Sequence, residues 1–202
     1  METGAGTTPV CLGSAVEAGP RTMRALAMVG RVLEQAEVER EQVDCLAVGI
    51  GPGSYTGIRA AISLAQGWQL ARGIQLLGIR SVECLAWQAQ AQDLRGRVNI
   101  AIDAQREEVY LATFLLGPEQ CELLEPLHLA GVGELKRRAA EGQIVLGPEA
   151  DRWAAGARRV FPEAAMLGRL AAGATEFVAG DKLEPVYLRE AHFVKAPPPR
   201  IL

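Results

Sequence analysis

Gly49-Ile50-Gly51-Pro52-Gly53-Ser54-Tyr55-Thr56-Gly57-Ile58-Arg59 is the stretch on which the fold turns. It joins an apolar, strand-like run (Cys45, Leu46, Ala47, Val48) to a segment with helical spacing (Ile58, Ala61, Ile62, Ala65, Leu70). A loop this rich in glycine tolerates positive φ and close backbone approach, and a helix N-terminus presents free N–H groups that favour an anion. Gly51, Gly53, Ser54, Thr56 and Gly57 are therefore candidates for an anion-binding loop.

The loop lacks the parts of a self-sufficient nucleotide enzyme. A Walker loop ends in Gly-Lys-Ser/Thr because the lysine meets the outer phosphates and the hydroxyl holds magnesium; here Thr56-Gly57-Ile58 stands in that place. The dinucleotide fingerprint fails by spacing, since Gly51 and Gly53 are followed by Gly57, one residue too late. From Cys45 to Ser81 there is no Asp or Glu to serve as a ribose ligand, general base or magnesium carboxylate.

Outward from the loop, the pattern alternates. A strand is predicted over Val10–Val16, a helix from about Pro20 to Ala36 with Met23, Leu26, Ala27, Gly30 and Leu33 on one face, and a strand over Cys45–Val48. A helix from about Thr56 to Ala71, stopped by Gly73, and a strand over Gln75–Ile79 follow. Strands alternating with helices argue for an α/β layer. A second unit opens after Leu94-Arg95-Gly96-Arg97: Val98–Asp103 and Val109–Leu116 flank the polar turn Ala104-Gln105-Arg106-Glu107. Strands over Leu123–Leu129 and Gln143–Leu146 and helices over Val132–Ala140, Glu149–Gly156 and Pro162–Ala174 complete it. The domains expected are residues 1–96 and 97–202, and the strand–turn–strand opening of both halves hints at a duplicated architecture. Ala196-Pro197-Pro198-Pro199-Arg200 is predicted to be an extended tail.

Composition bounds the function. A chain of 202 residues, 49% hydrophobic and 22% charged, has the make-up of a soluble globular protein. Its formal net charge of −3 would repel RNA rather than gather it. Cys11, Cys45, Cys84 and Cys121 are scattered, with no Cys-x-x-Cys pair, and read as reduced thiols of a cytoplasmic protein, Cys45 as a buried one. No run approaches the ~20 apolar residues of a membrane span. The two histidines, His128 and His192, form no metal-ligand spacing.

Four motifs carry a family resemblance. Ala47–Arg59 is the first; Gly78-Ile79-Arg80-Ser81 through Leu85-Ala86 is the second; Ile102–Tyr110 and Pro185-Val186-Tyr187-Leu188-Arg189 are the third and fourth. In this order they resemble the bacterial TsaB family, also called YeaZ, over nearly the whole chain. The resemblance implies two actin-like/Hsp70-like (ASKHA) subdomains, each a mixed sheet with flanking helices on a βββαβα plan. It implies a component of the machinery that places a threonylcarbamoyl group on N6 of adenosine 37 in tRNA: a non-catalytic platform for the TsaD transferase, joined by the TsaE ATPase. tRNA would be reached only through the complex, and ATP with magnesium would be held only there. The family pairs through its first two helices, here about Pro20–Ala36 and Thr56–Ala71. Met23, Leu26, Gly30, Leu33, Ala61, Leu64, Ala65 and Trp68 are the expected partner interface, and the same apolar helices predict a homodimer when the partner is missing. The chain departs from the family at Met1-Glu2-Thr3-Gly4, where an apolar strand would run into Asp-Thr-Ser, so the first strand of subdomain one is expected to be truncated.

Two other classes compete. A hydrolase of glycoprotease type would use Ser54 or Thr56 as nucleophile, although Gly53-Ser54-Tyr55-Thr56-Gly57 is not a Gly-x-Ser-x-Gly elbow and no acid or histidine is near in sequence. Ser54 or Thr56 is better read as a helix cap. A stand-alone ATPase would need a magnesium carboxylate, for which Asp103 at a strand end is the candidate; a turn-forming role suits it better.

Overall fold

The computed structural model describes residues 9–16 and 25–188. Two sheets organise it. Helix α1 (Ala25–Ala36), β1 (Cys45–Gly51), α2 (Tyr55–Arg72), β2 (Gln75–Arg80) and α3 (Ser81–Ala91) form the first half. β3 (Gly96–Asp103), β4 (Glu108–Leu116), β5 (Cys121–Gly131), α4 (Val132–Ala140), β6 (Ile144–Gly147), α5 (Ala150–Trp153), β7 (Arg158–Arg159) and α6 (Ala164–Ala172) form the second.

The first sheet has two strands, β1 and β2, in parallel register from Cys45↔Gln75 to Gly49↔Ile79. Leu46, Val48 and Ile50 pack with Ile58, Ile62, Ala65, Ile74 and Leu76 under α2. The second sheet has five strands in the order β5-β4-β3-β6-β7. β3–β4–β5 is an antiparallel meander, and β6 joins β3 in parallel at Val98↔Ile144. Its tight turn puts Gln105, Arg106 and Glu107 at positive φ, with Asp103 Oδ1 accepting from the Gln105 N–H at 2.7 Å, the turn-forming role expected of that carboxylate.

Between the sheets lies α3, which the periodicity did not announce. Val82, Cys84, Leu85, Ala86, Gln88 and Ala89 are all buried, so no polar face marks it as a helix. Val82, Leu85, Ala86 and Ala89 share a core with Val98, Ile100, Ile102, Ala112 and Phe114. Gln88 is satisfied there, donating to the Phe161 carbonyl at 3.0 Å and accepting from the Glu163 N–H at 2.8 Å.

The other face of the second sheet buries a polar cluster. Arg138 Nη1 donates to Asn99 Oδ1 at 2.8 Å and to Thr113 Oγ1 at 2.9 Å, while Nη2 donates to Glu125 at 2.8 Å and Glu134 at 2.5 Å. Asn99 and Thr113 are wholly buried, so this cluster ties β3, β4, β5 and α4 together at one point.

The predicted strand over Val10–Val16 is corrected. Those residues are irregular and pair with no strand among the described residues, and Val10, Leu12 and Val16 are 78%, 66% and 90% exposed. An exposed segment can leave its backbone groups to water, and a strand exists only where a neighbour pairs with it, so the apolar run alone does not make one. Residues 20–24 of the first predicted helix, and the proline-rich tail, lie outside the described residues.

Candidate functional site: the glycine loop and the outer helices

β1 ends in a sharp turn that delivers the chain to α2. Gly51 has φ +97°, a conformation that favours glycine, and a Cβ there would lie 2.8 Å from the tip of the Ile58 side chain. Gly51 and Pro52 are buried, whereas Gly53, Ser54, Tyr55 and Thr56 are exposed and Gly57 is half-buried. Ser54 is the N-cap of α2: its Oγ accepts from the Gly57 N–H at 3.3 Å, and its carbonyl accepts from the Ile58 N–H at 2.9 Å. Such a cap is worth about 1 kcal/mol. Ser54 Oγ thus has a structural partner, and neither a histidine nor a carboxylate is bonded to it among the described residues.

One feature of the loop escaped sequence reasoning. The Arg59 guanidinium lies 3.4 Å from the Tyr55 ring centroid and 5.0 Å from that of Tyr187, with the two rings 6.5 Å apart. The segment bearing Tyr187 is tied in by Val186, whose N–H donates to the Ile50 carbonyl at 2.9 Å. Gln66 and Gln69 of α2 hold the same segment, Gln66 donating to the Gly180 carbonyl at 2.7 Å and Gln69 accepting from the Gly180 N–H at 2.6 Å. Tyr55 and Arg59 sit one helical turn apart and Tyr187 lies far along the chain, so only the fold brings the three together.

The outer helices are unevenly covered. α1 lies beside α2, is amphipathic, and has no buried residue; Leu26 is 64% exposed. Gly30 and Leu33 are half-buried and line a depression of about 460 Å³ with Glu34, Glu37 and Arg40. On α2, Ala61, Leu64 and Trp68 are half-buried, Trp68 resting partly on the core of the first sheet. Ala65 is corrected as an interface residue: it is wholly buried between α2 and β1. Met23 lies outside the described residues. Cys45 is half-buried rather than buried, burial still pushing its thiol upward, and all four cysteines are free. Among the described residues no group of His, Cys, Asp or Glu has metal-binding geometry, and no helix is long and apolar enough to cross a membrane.

Two sheets with flanking helices, a glycine turn from strand to helix and outer helices left bare define a mixed α/β protein of the actin-like class. Comparison with known proteins narrows it. A family model described as TsaD, tRNA N6-adenosine threonylcarbamoyltransferase, matches residues 22–176. The tRNA threonylcarbamoyladenosine biosynthesis protein TsaB of Escherichia coli is 37% identical over 93 residues, which is 46% of this chain and 40% of that protein. The protein of the same name from Haemophilus influenzae is 35% identical over 45% of this chain and 39% of its own length. The match therefore spans less than half of the curated relatives. Two solved structures from Pseudomonas aeruginosa, one described as similar to peptidase YEAZ and one as YeaZ, superpose with TM-scores of 0.70 and 0.69 at 30% identity. They cover 82% of this chain, and 83% and 84% of their own. The chain belongs to the TsaB (YeaZ) family.

Proposed function

We propose that the chain is a platform subunit in tRNA threonylcarbamoyladenosine biosynthesis, docking a TsaD transferase through α1 and the adjoining face of α2. The observation that carries this reading is α1: an amphipathic helix of which no residue is buried, with Leu26 turned largely to solvent. A bare apolar helix face rimmed by charge is a surface for a partner helix. The relatives' names place the family in this pathway, and the TsaD description of the matching family fits a partner of related fold. TsaE, tRNA, and ATP with magnesium would then be engaged by the assembly, and the same face would support a homodimer in the absence of TsaD. In this reading the glycine loop is a structural turn, with Ser54 as its cap, and contributes no nucleophile.

Gel filtration with TsaD tests the proposal. The wild-type chain is expected to co-elute with it, whereas Leu26→Glu, at an exposed position that leaves the core untouched, is expected to elute separately with unchanged circular dichroism. Leu64→Glu, at a half-buried position, is expected to do the same with some loss of stability. Co-elution of both variants would overturn the assigned surface, and hydrolysis of ATP or peptide by the isolated chain would overturn the platform role.

A further inference from the structure

Helix α2 has two distinct flanks. Successive residues of a helix turn by about 100°, so Arg59, Ser63 and Gln66 share one flank, opposite Ala61, Leu64 and Trp68. The chain from Gly180 to Tyr187 runs back along the first of these. Gly180 is held by Gln66 and Gln69, and Tyr187 stands beside Arg59, two helical turns or about 10 Å nearer the glycine loop. Between helix and segment lies a cavity of about 500 Å³. Ile62, Leu183 and Pro185 give it an apolar wall, and Arg59, Asp181 and Glu184 bring charge to it.

These three charges are unpaired among the described residues. Arg59 makes no ion pair, and its Nη1 is buried without a hydrogen-bond partner. The tyrosines do not supply one, because a ring attracts the face of a guanidinium while its N–H donors lie in the plane and need a carboxylate or similar acceptor. Asp181 and Glu184 are exposed, and their carboxylates accept no hydrogen bond. Lys182, the other charged residue between Gly180 and Leu188, does not line the cavity. The site thus offers a cation at its Arg59 end and two anions along the segment that leads away from it.

We propose that this cavity binds a free basic α-amino acid, lysine or arginine. Such a ligand is the charge complement of the site: its carboxylate meets the planar fork of Arg59, its α-ammonium meets Glu184, and its side-chain cation meets Asp181. The order along the chain selects that arrangement, because Glu184 lies between Tyr187, which stands at Arg59, and Gly180, which is held at Gln66. The methylenes of the ligand lie on Ile62, Leu183 and Pro185. A neutral or acidic amino acid leaves Asp181 unmatched, and a phosphate ester sets further negative charge beside two carboxylates. Bridging α2 to the segment, the ligand stabilises the first half of the molecule. The site stands apart from α1, so it does not depend on the proposed partner.

Amide NMR titration of the whole chain with L-lysine and L-arginine tests the site. Saturable shifts centred on residues 59–66 and 180–187 are expected. Lysinamide, which lacks the carboxylate, should bind about tenfold more weakly or worse, and norleucine, which lacks the side-chain cation, about threefold. Asp181→Asn, at an exposed position, should weaken lysine by about threefold and leave norleucine unaffected. Arg59→Gln should abolish binding; since Arg59 also holds Tyr187, the Asp181 variant and the two analogues give a reading that any loosening of the segment does not touch. No saturable shift at about 10 mM ligand, equal affinities for lysine and norleucine, or shifts centred on the second sheet would each overturn the proposal.

Discussion

β6 and β1 each lead into a glycine turn and a helix, yet among the described residues β6 has a strand on each side and β1 has one. The consequence is visible in burial: β6 is buried from Val145 to Gly147, whereas Cys45 to Ile50 of β1 are all half-buried. It is visible in the helices too, since α4 buries Leu135 and Arg138 and α1 buries nothing. The second half is a closed unit that supplies rigidity, and the first presents surfaces whose contacts are incomplete within the described chain. A subunit that works by docking needs that asymmetry, because only an uncovered face can be recognised.

The largest effect that would sharpen the contrast is expected at Arg138. Arg138→Met leaves Asn99 and Thr113 buried without their donor and removes the partner of Glu125 and Glu134, a loss of about 3 kcal/mol in chemical denaturation. The unpaired charges are each about a third exposed, which keeps the cost at the low end for a broken buried pair. A change below about 1 kcal/mol would show that the cluster does not hold the sheet.

The two glycine turns come next. A Cβ on Gly147 would stand 1.8 Å from the Ala101 carbonyl oxygen of β3, a backbone obstacle that cannot rotate away, so Gly147→Ala should cost 3 kcal/mol or about that. At Gly51 the obstacle is the tip of Ile58, which can yield, and the penalty should fall to about 1–2 kcal/mol, mostly for positive φ. Equal penalties at the two sites would break the comparison.

Acid should act first on the second half. The hydrogen bond from Arg138 holds the Glu125 carboxyl below its usual 4.5. A carboxylate depressed on folding contributes stability that is complete above its unfolded value and is lost as pH falls through its folded value. Stability measured from pH 6 downward should therefore decline below about 4.5. Glu125→Gln should flatten that decline, and an unchanged profile would argue against the pairing.

The smallest effect is on thiol reactivity. Burial pushes Cys84 and Cys121 up to about 11, so at pH 8 about one part in a thousand of each is thiolate. Alkylation should mark exposed Cys11 well before either, and early labelling of Cys84 would contradict its burial.

The same asymmetry explains what the sequence disclosed. The strand-to-helix passage through Gly51–Gly57, the β3–β4 hairpin and α4 were legible because local chemistry sets each: positive φ, a polar turn, a clean amphipathic stripe. α3 was not, because a helix buried on nearly every side has no polar face. Val10–Val16 misled for the opposite reason: its composition suits a strand, but a strand is a property of a pair. The Arg59–Tyr55–Tyr187 stack was hidden by sequence separation, although all three residues stand in the motifs that carried the family resemblance.

Hydrogen exchange of the chain with and without TsaD tests the central claim most directly. Added protection is expected on α1 and the outer face of α2, with β3, β4 and β5 unchanged. Protection confined to the second sheet, or none at concentrations where the two proteins co-elute, would contradict it.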